Sequence, residues 1–155
     1  MRDALQTPDA AFRSPPMKKL DYGVWMNSTD RLAIEWECTR LISLYALLND
    51  EGRWDEIAAL YAPDGEMTRP TAPDEPIVGR EAILAAFKAR PPRTSRHVCS
   101  NIVIDVESDT AARGRSAMLL FIAADKPPLI GGFEDEFVLT NEGWRFSRRR
   151  GTLTF

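Results

Sequence analysis

The feature that most constrains this chain is a single change of hydrophobic period. Up to about residue 90 the apolar side chains recur at helical spacing; from Thr94 onward they alternate. Ile34, Cys38, Leu41, Tyr45 and Leu48 follow one another at spacings of four, three, four and three, which marks one face of a long helix. Asn27, Ser28, Thr29 and Asp30 all suit its N-terminal cap, and Asp50-Glu51-Gly52 closes it. A short second helix is predicted from about Trp54 to Tyr61, ended by the turn Ala62-Pro63-Asp64-Gly65. Glu66–Arg69 reads as a short strand, and Pro70, Pro73 and Pro76 predict an irregular loop. A third helix runs from about Arg80 to Ala89, with Ile83, Leu84 and Phe87 on its buried side and Pro91-Pro92 as its stop.

Beyond Thr94, Val98, Ile102, Ile104 and Val106 share one parity, and His97, Asn101 and Asp105 take the other. Further strands are predicted at about Ala112–Ala124, Leu129–Thr140 and Gly143–Phe155. Turns at Glu107–Thr110 and Lys126-Pro127-Pro128 and a hairpin at Asn141-Glu142-Gly143 join them. Helices first and strands afterwards make an α+β domain rather than alternating parallel units. A strongly curved sheet wrapped around the long first helix would leave a pocket at its open end, the setting a small-molecule site needs. Residues 1–22 carry Pro8, Pro15 and Pro16 without a sustained period. They read as a flexible or partner-contacting arm before a domain at 23–155.

Composition removes several classes. The formal charge is −3, from 20 Lys+Arg against 23 Asp+Glu, so no basic surface for nucleic acid is expected. The longest apolar run, Ala117–Ala124, is too short to cross a membrane as a helix, and no apolar signal core follows the N-terminus. A cytoplasmic location without membrane contact is the expectation. Cys38 and Cys99 lie among apolar neighbours and read as buried free thiols; a disulfide between them has nothing to favour it. With one histidine, no C-x-x-C and no Gly-rich phosphate loop, neither a metal nor a cofactor is expected.

Several stretches together resemble a known family. They are Arg40-Leu-Ile-Ser-Leu-Tyr45-x₄-Asp50, Trp54-Asp-Glu-Ile-Ala-Ala-Leu-Tyr-Ala-Pro-Asp64-Gly, Val78-Gly-Arg-Glu-Ala-Ile83 and Arg96-His97-Val-x-x-Asn101-Ile. Gly132-Phe-Glu-Asp-Glu-Phe137 and Gly143-Trp-Arg-Phe-Ser-Arg-Arg149 complete the set. Their order and spacing resemble the SnoaL-like branch of the nuclear-transport-factor-2-like superfamily, from about Thr29 to Phe155. The resemblance implies a cone of three helices packed into a strongly curved antiparallel or mixed sheet. It also implies self-association as a trimer or a dimer. The chain looks most similar to the cofactor-free eliminating enzymes of that superfamily, which share an aspartate–histidine pair. The matching positions here are Asp50 and His97; Tyr45 and Arg149 match further site positions. A second active-site Tyr or His found in some dehydratases has no counterpart in this sequence.

These residue types suit proton abstraction. An imidazole titrates near neutrality and serves as a base, and a carboxylate beside it fixes its tautomer and stabilises the imidazolium. Tyr45 would donate a hydrogen bond to a substrate oxygen or assist a leaving hydroxide. Arg149 would hold a carboxylate, a carbonyl oxygen or a leaving anion. In strict alternation Arg149 shares a face with Arg145 and Ser147, opposite Trp144, Phe146 and Arg148, unless a bulge resets the phase. Glu134-Asp135-Glu136 is expected on the strand surface, with one acid able to turn inward. The expectation is a lyase of dehydratase type acting on a small hydrophobic cyclic, aromatic or steroid-like molecule. An isomerase using the same base, a non-catalytic binding or oligomerisation module, and a dioxygenase β-subunit-like protein are the alternatives.

Overall fold

The computed structural model of the chain describes residues 26–154; the expected arm at 1–22 lies outside them. Helix α1 runs Ser28–Glu51. Asn27 caps it, its side-chain oxygen accepting the Asp30 N–H at 2.9 Å, and Gly52 ends it in the left-handed region with φ 69°. Its buried positions, from Ile34 to Asn49, cover about 160° of the helix circumference, more than one flat neighbour could bury. Helix α2 is Trp54–Ala59 and α3 is Arg80–Lys88. The strands are β1 Tyr61–Arg69, β2 Ala72–Val78, β3 Arg96–Val106, β4 Ala111–Phe121, β5 Leu129–Thr140 and β6 Gly143–Leu153.

They form one sheet in the order β2-β1-β6-β5-β4-β3. The β1–β6 pair is parallel and the rest antiparallel, so the sheet is mixed. Helix α1 packs on β3, β4 and β6, while α3 packs on β1, β2 and α2. The sheet therefore curves around α1, and the α+β cone is the observed architecture. Phe137, Phe146, Ile42, Ile57, Met67, Ile83 and Phe87 are its fully enclosed centre. Each such side chain contributes about 1.5–3 kcal/mol through burial.

The elements differ from the sequence pattern in instructive places. The second helix stops at Ala59, and Tyr61 already begins β1. The predicted turn at 62–65 survives as an excursion within β1: Tyr61 pairs with Phe146 and Glu66 with Arg148, five residues against two. The proline-bearing stretch after Pro70 is a strand, β2, and not a loop. It is an edge strand, where a residue without an N–H is tolerated. Strand β4 ends at Phe121 and β6 at Leu153, both earlier than predicted.

Two register shifts decide which side chains face inward. In β3 the pairing slips between Ser100 and Val103, and Asn101 takes φ 51°. His97 and Cys99 therefore join Ile102, Ile104 and Val106 on the inner face, and Val98 turns out, 44% exposed. That overturns the expected grouping of Val98 with Ile102. In β6, Phe146 pairs with Phe137 and Arg148 with Glu136, leaving Ser147 as an extra residue. Arg149 thus moves to the face of Trp144 and Phe146 and is buried, the opposite of strict alternation.

Candidate active site

The last turn of α1 carries Asp50, a position where a carboxylate opposes the helix dipole. Its compensation comes from the start of β3. Asp50 Oδ1 lies 2.6 Å from His97 Nδ1, and Asp50 Oδ2 accepts the His97 backbone N–H at 2.8 Å. The Ser95 hydroxyl donates to Oδ1 at 3.1 Å, and Arg96 Nη1 stands 3.9 Å from Oδ2. Both side chains are enclosed, 5% exposed for His97 and 2% for Asp50. Regular helix continues to Glu51, so the backbone does not bend to turn Asp50 inward; the wrap of the sheet around α1 brings β3 to it.

This contact fixes the ring. With the Nδ1 proton directed at the carboxylate, Nε2 carries the lone pair. Burial lowers the His97 pKa below its ordinary 6.5, outweighing the hydrogen bond and charge of Asp50, which pull it up. Arg93 and Arg149 push it down further. The shift favours the neutral imidazole, the form a base requires.

Arg149 sits deeper, enclosed by aromatic rings. Its guanidinium carbon lies 3.8 Å from the centre of Phe133, 4.3 Å from Tyr45 and 4.7 Å from Phe146. Cation–π attraction of this kind strengthens as water is excluded. Nη1 donates to Asp135 Oδ2 at 2.9 Å, and both side chains are essentially inaccessible. Burial pushes the Asp135 carboxyl up to about 6, against the pull of Arg149. Arg149 Nε and Nη2 have no partner among the described residues, and neither has Asp135 Oδ1. Two buried N–H-bearing atoms of Arg149 thus have no acceptor among the described residues.

Tyr45 packs edge-on against Phe87, Phe133 and Phe146, at 5.8–6.3 Å between ring centres. The Tyr61 hydroxyl is buried without a partner among the described residues; burial raises its pKa well above 10, and the charge of Arg149 acts on it. Both thiols are free; burial pushes Cys38 up to about 12 and raises Cys99, which keeps both protonated.

The structure thus joins Asp50 with His97, and Tyr45 with Arg149. Asp135 and Ser95 are additions to the predicted set. Asp135 was legible in principle: Phe133, Asp135 and Phe137 are spaced by two, so the acid must share the aromatic face. Ser95 precedes the strand and carries no such signal. Two surface clefts are also present, the second of them bordered by Asp135. One, of about 490 Å³, is bordered by α1, α2 and the β5–β6 turn; the other, of about 340 Å³, involves Arg113, Glu134 and Arg148. No three His, Cys, Asp or Glu side chains among the described residues are grouped to hold a metal ion. No helix there is long and apolar enough to cross a membrane.

The model of the SnoaL-like domain family matches residues 30–150. A solved structure from Novosphingobium aromaticivorans, bearing the provisional name scytalone dehydratase, is 27% identical with a TM-score of 0.72. The match covers 83% of this chain and 89% of that one. An NTF2-like protein with a cystatin-like fold from the same organism is 24% identical, with a TM-score of 0.70 over 80% and 84% of the two chains. A hexachlorocyclohexane dehydrochlorinase, LinA type 2, shares the fold at a TM-score of 0.73 and 18% identity, covering 83% and 90%. No curated protein matches the chain.

Proposed function

The chain belongs to the SnoaL-like family, and on that premise we propose that it is a cofactor-independent lyase of dehydratase type. The observation that carries the proposal is the enclosed contact of 2.6 Å between Asp50 and His97. His97 Nε2 takes the proton from a carbon next to a carbonyl, and the C–H electron pair becomes an enolate. Asp50 stabilises the imidazolium so formed. Arg149 donates from Nε or Nη2 to the enolate oxygen, and Tyr45 donates to a substrate oxygen. Collapse of the enolate breaks the bond to a β-hydroxyl, which leaves as water after receiving the proton back from the imidazolium. Returned to another carbon, the same proton would make the protein an isomerase. The aromatic interior suits a small cyclic, aromatic or steroid-like substrate.

The test is turnover of 3-hydroxycyclohexanone to cyclohexenone and water, followed by ultraviolet absorbance. Wild type is expected to accelerate it and His97→Ala to lose that acceleration; equal rates for the two proteins overturn the assignment of the base. A second reading, a binding or structural module without turnover, is favoured by the tight enclosure of His97, Tyr45 and Arg149 by other side chains.

We also propose self-association, as a trimer or a dimer. It rests on the outer sheet face at β3 and β4, where Val98, Val103 and Phe121 are 39–46% exposed.

A further inference from the structure

The chain is acidic overall, yet four arginines sit at the ends of β1, α3 and the connection into β3, where the charge of Arg93 acts on both His97 and Arg90 and that of Arg69 on Arg90. Arg69 ends β1, Arg90 follows α3, Arg93 lies in the connection to β3, and Arg96 begins β3. Most other arginines find carboxylates: Arg31, Arg53, Arg80, Arg113, Arg148 and Arg150 each have one within 4.0 Å, while Arg40 lies over the Trp36 ring. At this end the pattern breaks. Arg96 reaches only Asp50, which Ser95 and His97 already engage. Arg69, Arg90 and Arg93 form no ion pair among the described residues.

Arg90 is the informative one, because it is half-buried. Its guanidinium carbon lies 4.1 Å from the centre of Phe87, so the planar group is held against a ring. Phe87 in turn contacts Tyr45 at 6.2 Å and stacks on Trp54 at 5.5 Å. Arg90 and Arg149 therefore lie on rings of one aromatic cluster. Burial lowers the Arg90 pKa, the charges of Arg93 and Arg69 lower it further, and Tyr45 and Tyr61 are the opposing influences. A half-buried cation under the influence of two more cations is unfavourable alone and favourable once an anion joins them. A guanidinium is planar and presents its N–H groups in one plane, which matches a carboxylate in two-point contact.

We propose that this end of the cone recognises a ring-bearing carboxylate. Arg90 holds the carboxylate with the help of Arg69 and Arg93, and the ring lies toward Tyr45 and His97. This deepens the lyase reading, on which it rests for the fate of the ring, and replaces a wholly apolar substrate with an anionic one.

The probes are 4-oxocyclohexane-1-carboxylate and its carboxamide, equal in shape and differing in charge. Binding is read from the ring signals of His97, the one histidine in the chain. At low salt the carboxylate is expected to bind about tenfold more tightly than the carboxamide, and salt should narrow the gap. Arg90→Gln should remove the preference, and Arg93→Gln, at an exposed position, should reduce it even if Arg90→Gln fails to fold. Equal affinity for the two probes, no binding of either, or a preference that survives both substitutions overturns the proposal. The same samples in D₂O separate this result from the lyase reading. Charge preference without His97-dependent exchange of the α-hydrogens would uphold the carboxylate site and contradict the base. Exchange without charge preference would do the reverse.

Discussion

Asp50 and Asp135 are both buried carboxylates beside a cationic or basic partner, yet their surroundings assign them different tasks. Asp50 receives a ring nitrogen, a backbone N–H and a hydroxyl from residues 95–97, so it is fully engaged and holds His97 in one tautomer. Asp50→Asn keeps the shape but cannot stabilise an imidazolium. Turnover should fall by about 10²–10⁴-fold with little change in melting temperature. Asp135 instead neutralises the buried Arg149, and Asp135→Asn leaves that cation uncompensated. A loss of about 3–5 kcal/mol in unfolding free energy is expected by denaturant titration. The pH dependence has opposite signs at the two centres. His97 has its folded pKa below 6.5, so the stability owed to its neutral form is present above that value and lost as pH falls below it. Turnover should fall in the same direction. Asp135, raised from 3.8 to about 6, favours the protonated folded state, and its contribution declines as pH rises between those values.

At the scale of elements, the site exists because two strands break their period. Helix α1, the succession of four strands in the second half and the hairpin at 141–143 were all legible from spacing and turn residues. The inward direction of His97 and Arg149 was not. Alternation counts residues and carries no mark of an extra one, so the slip at Ser100–Val103 and the extra Ser147 are invisible to it. A trace does exist at Asn101, a residue type that tolerates the left-handed backbone it adopts at φ 51°. The proline-bearing β2 was missed because its role as an edge depends on the parallel β1–β6 pairing, which no local signal announces. The Asp50–His97 approach spans 47 positions and was reached only through family resemblance; helical geometry alone set Asp50 well away from Tyr45. The slip in β3 can be tested. Asn101→Val should cost about 1–2 kcal/mol of stability because a branched residue resists that backbone. It should also loosen the Asp50–His97 contact, whereas Asn101→Gly should do neither.

For the whole molecule, curvature is the organising fact. Wrapping the sheet around α1 buries a wide arc of that helix and carries the start of β3 to its last turn. The same curvature leaves the outer face of β3 and β4 without a covering layer among the described residues, with Val98, Val103 and Phe121 exposed. Sedimentation equilibrium at micromolar concentration should therefore give two or three times the chain mass of 17.4 kDa. A value near the single-chain mass would contradict the proposed assembly, and Val103→Glu should shift the equilibrium toward it.

The proposed mechanism requires His97 to be a neutral base whose Nδ1 proton is held by Asp50 and whose Nε2 accepts a proton. Nitrogen-15 spectra of the single histidine test it without any knowledge of the substrate. At pH 7.5 the account predicts one protonated nitrogen, Nδ1, one unprotonated nitrogen, Nε2, and a titration midpoint below 6.5. A ring protonated at Nε2 alone, or an imidazolium persisting at that pH, would contradict it.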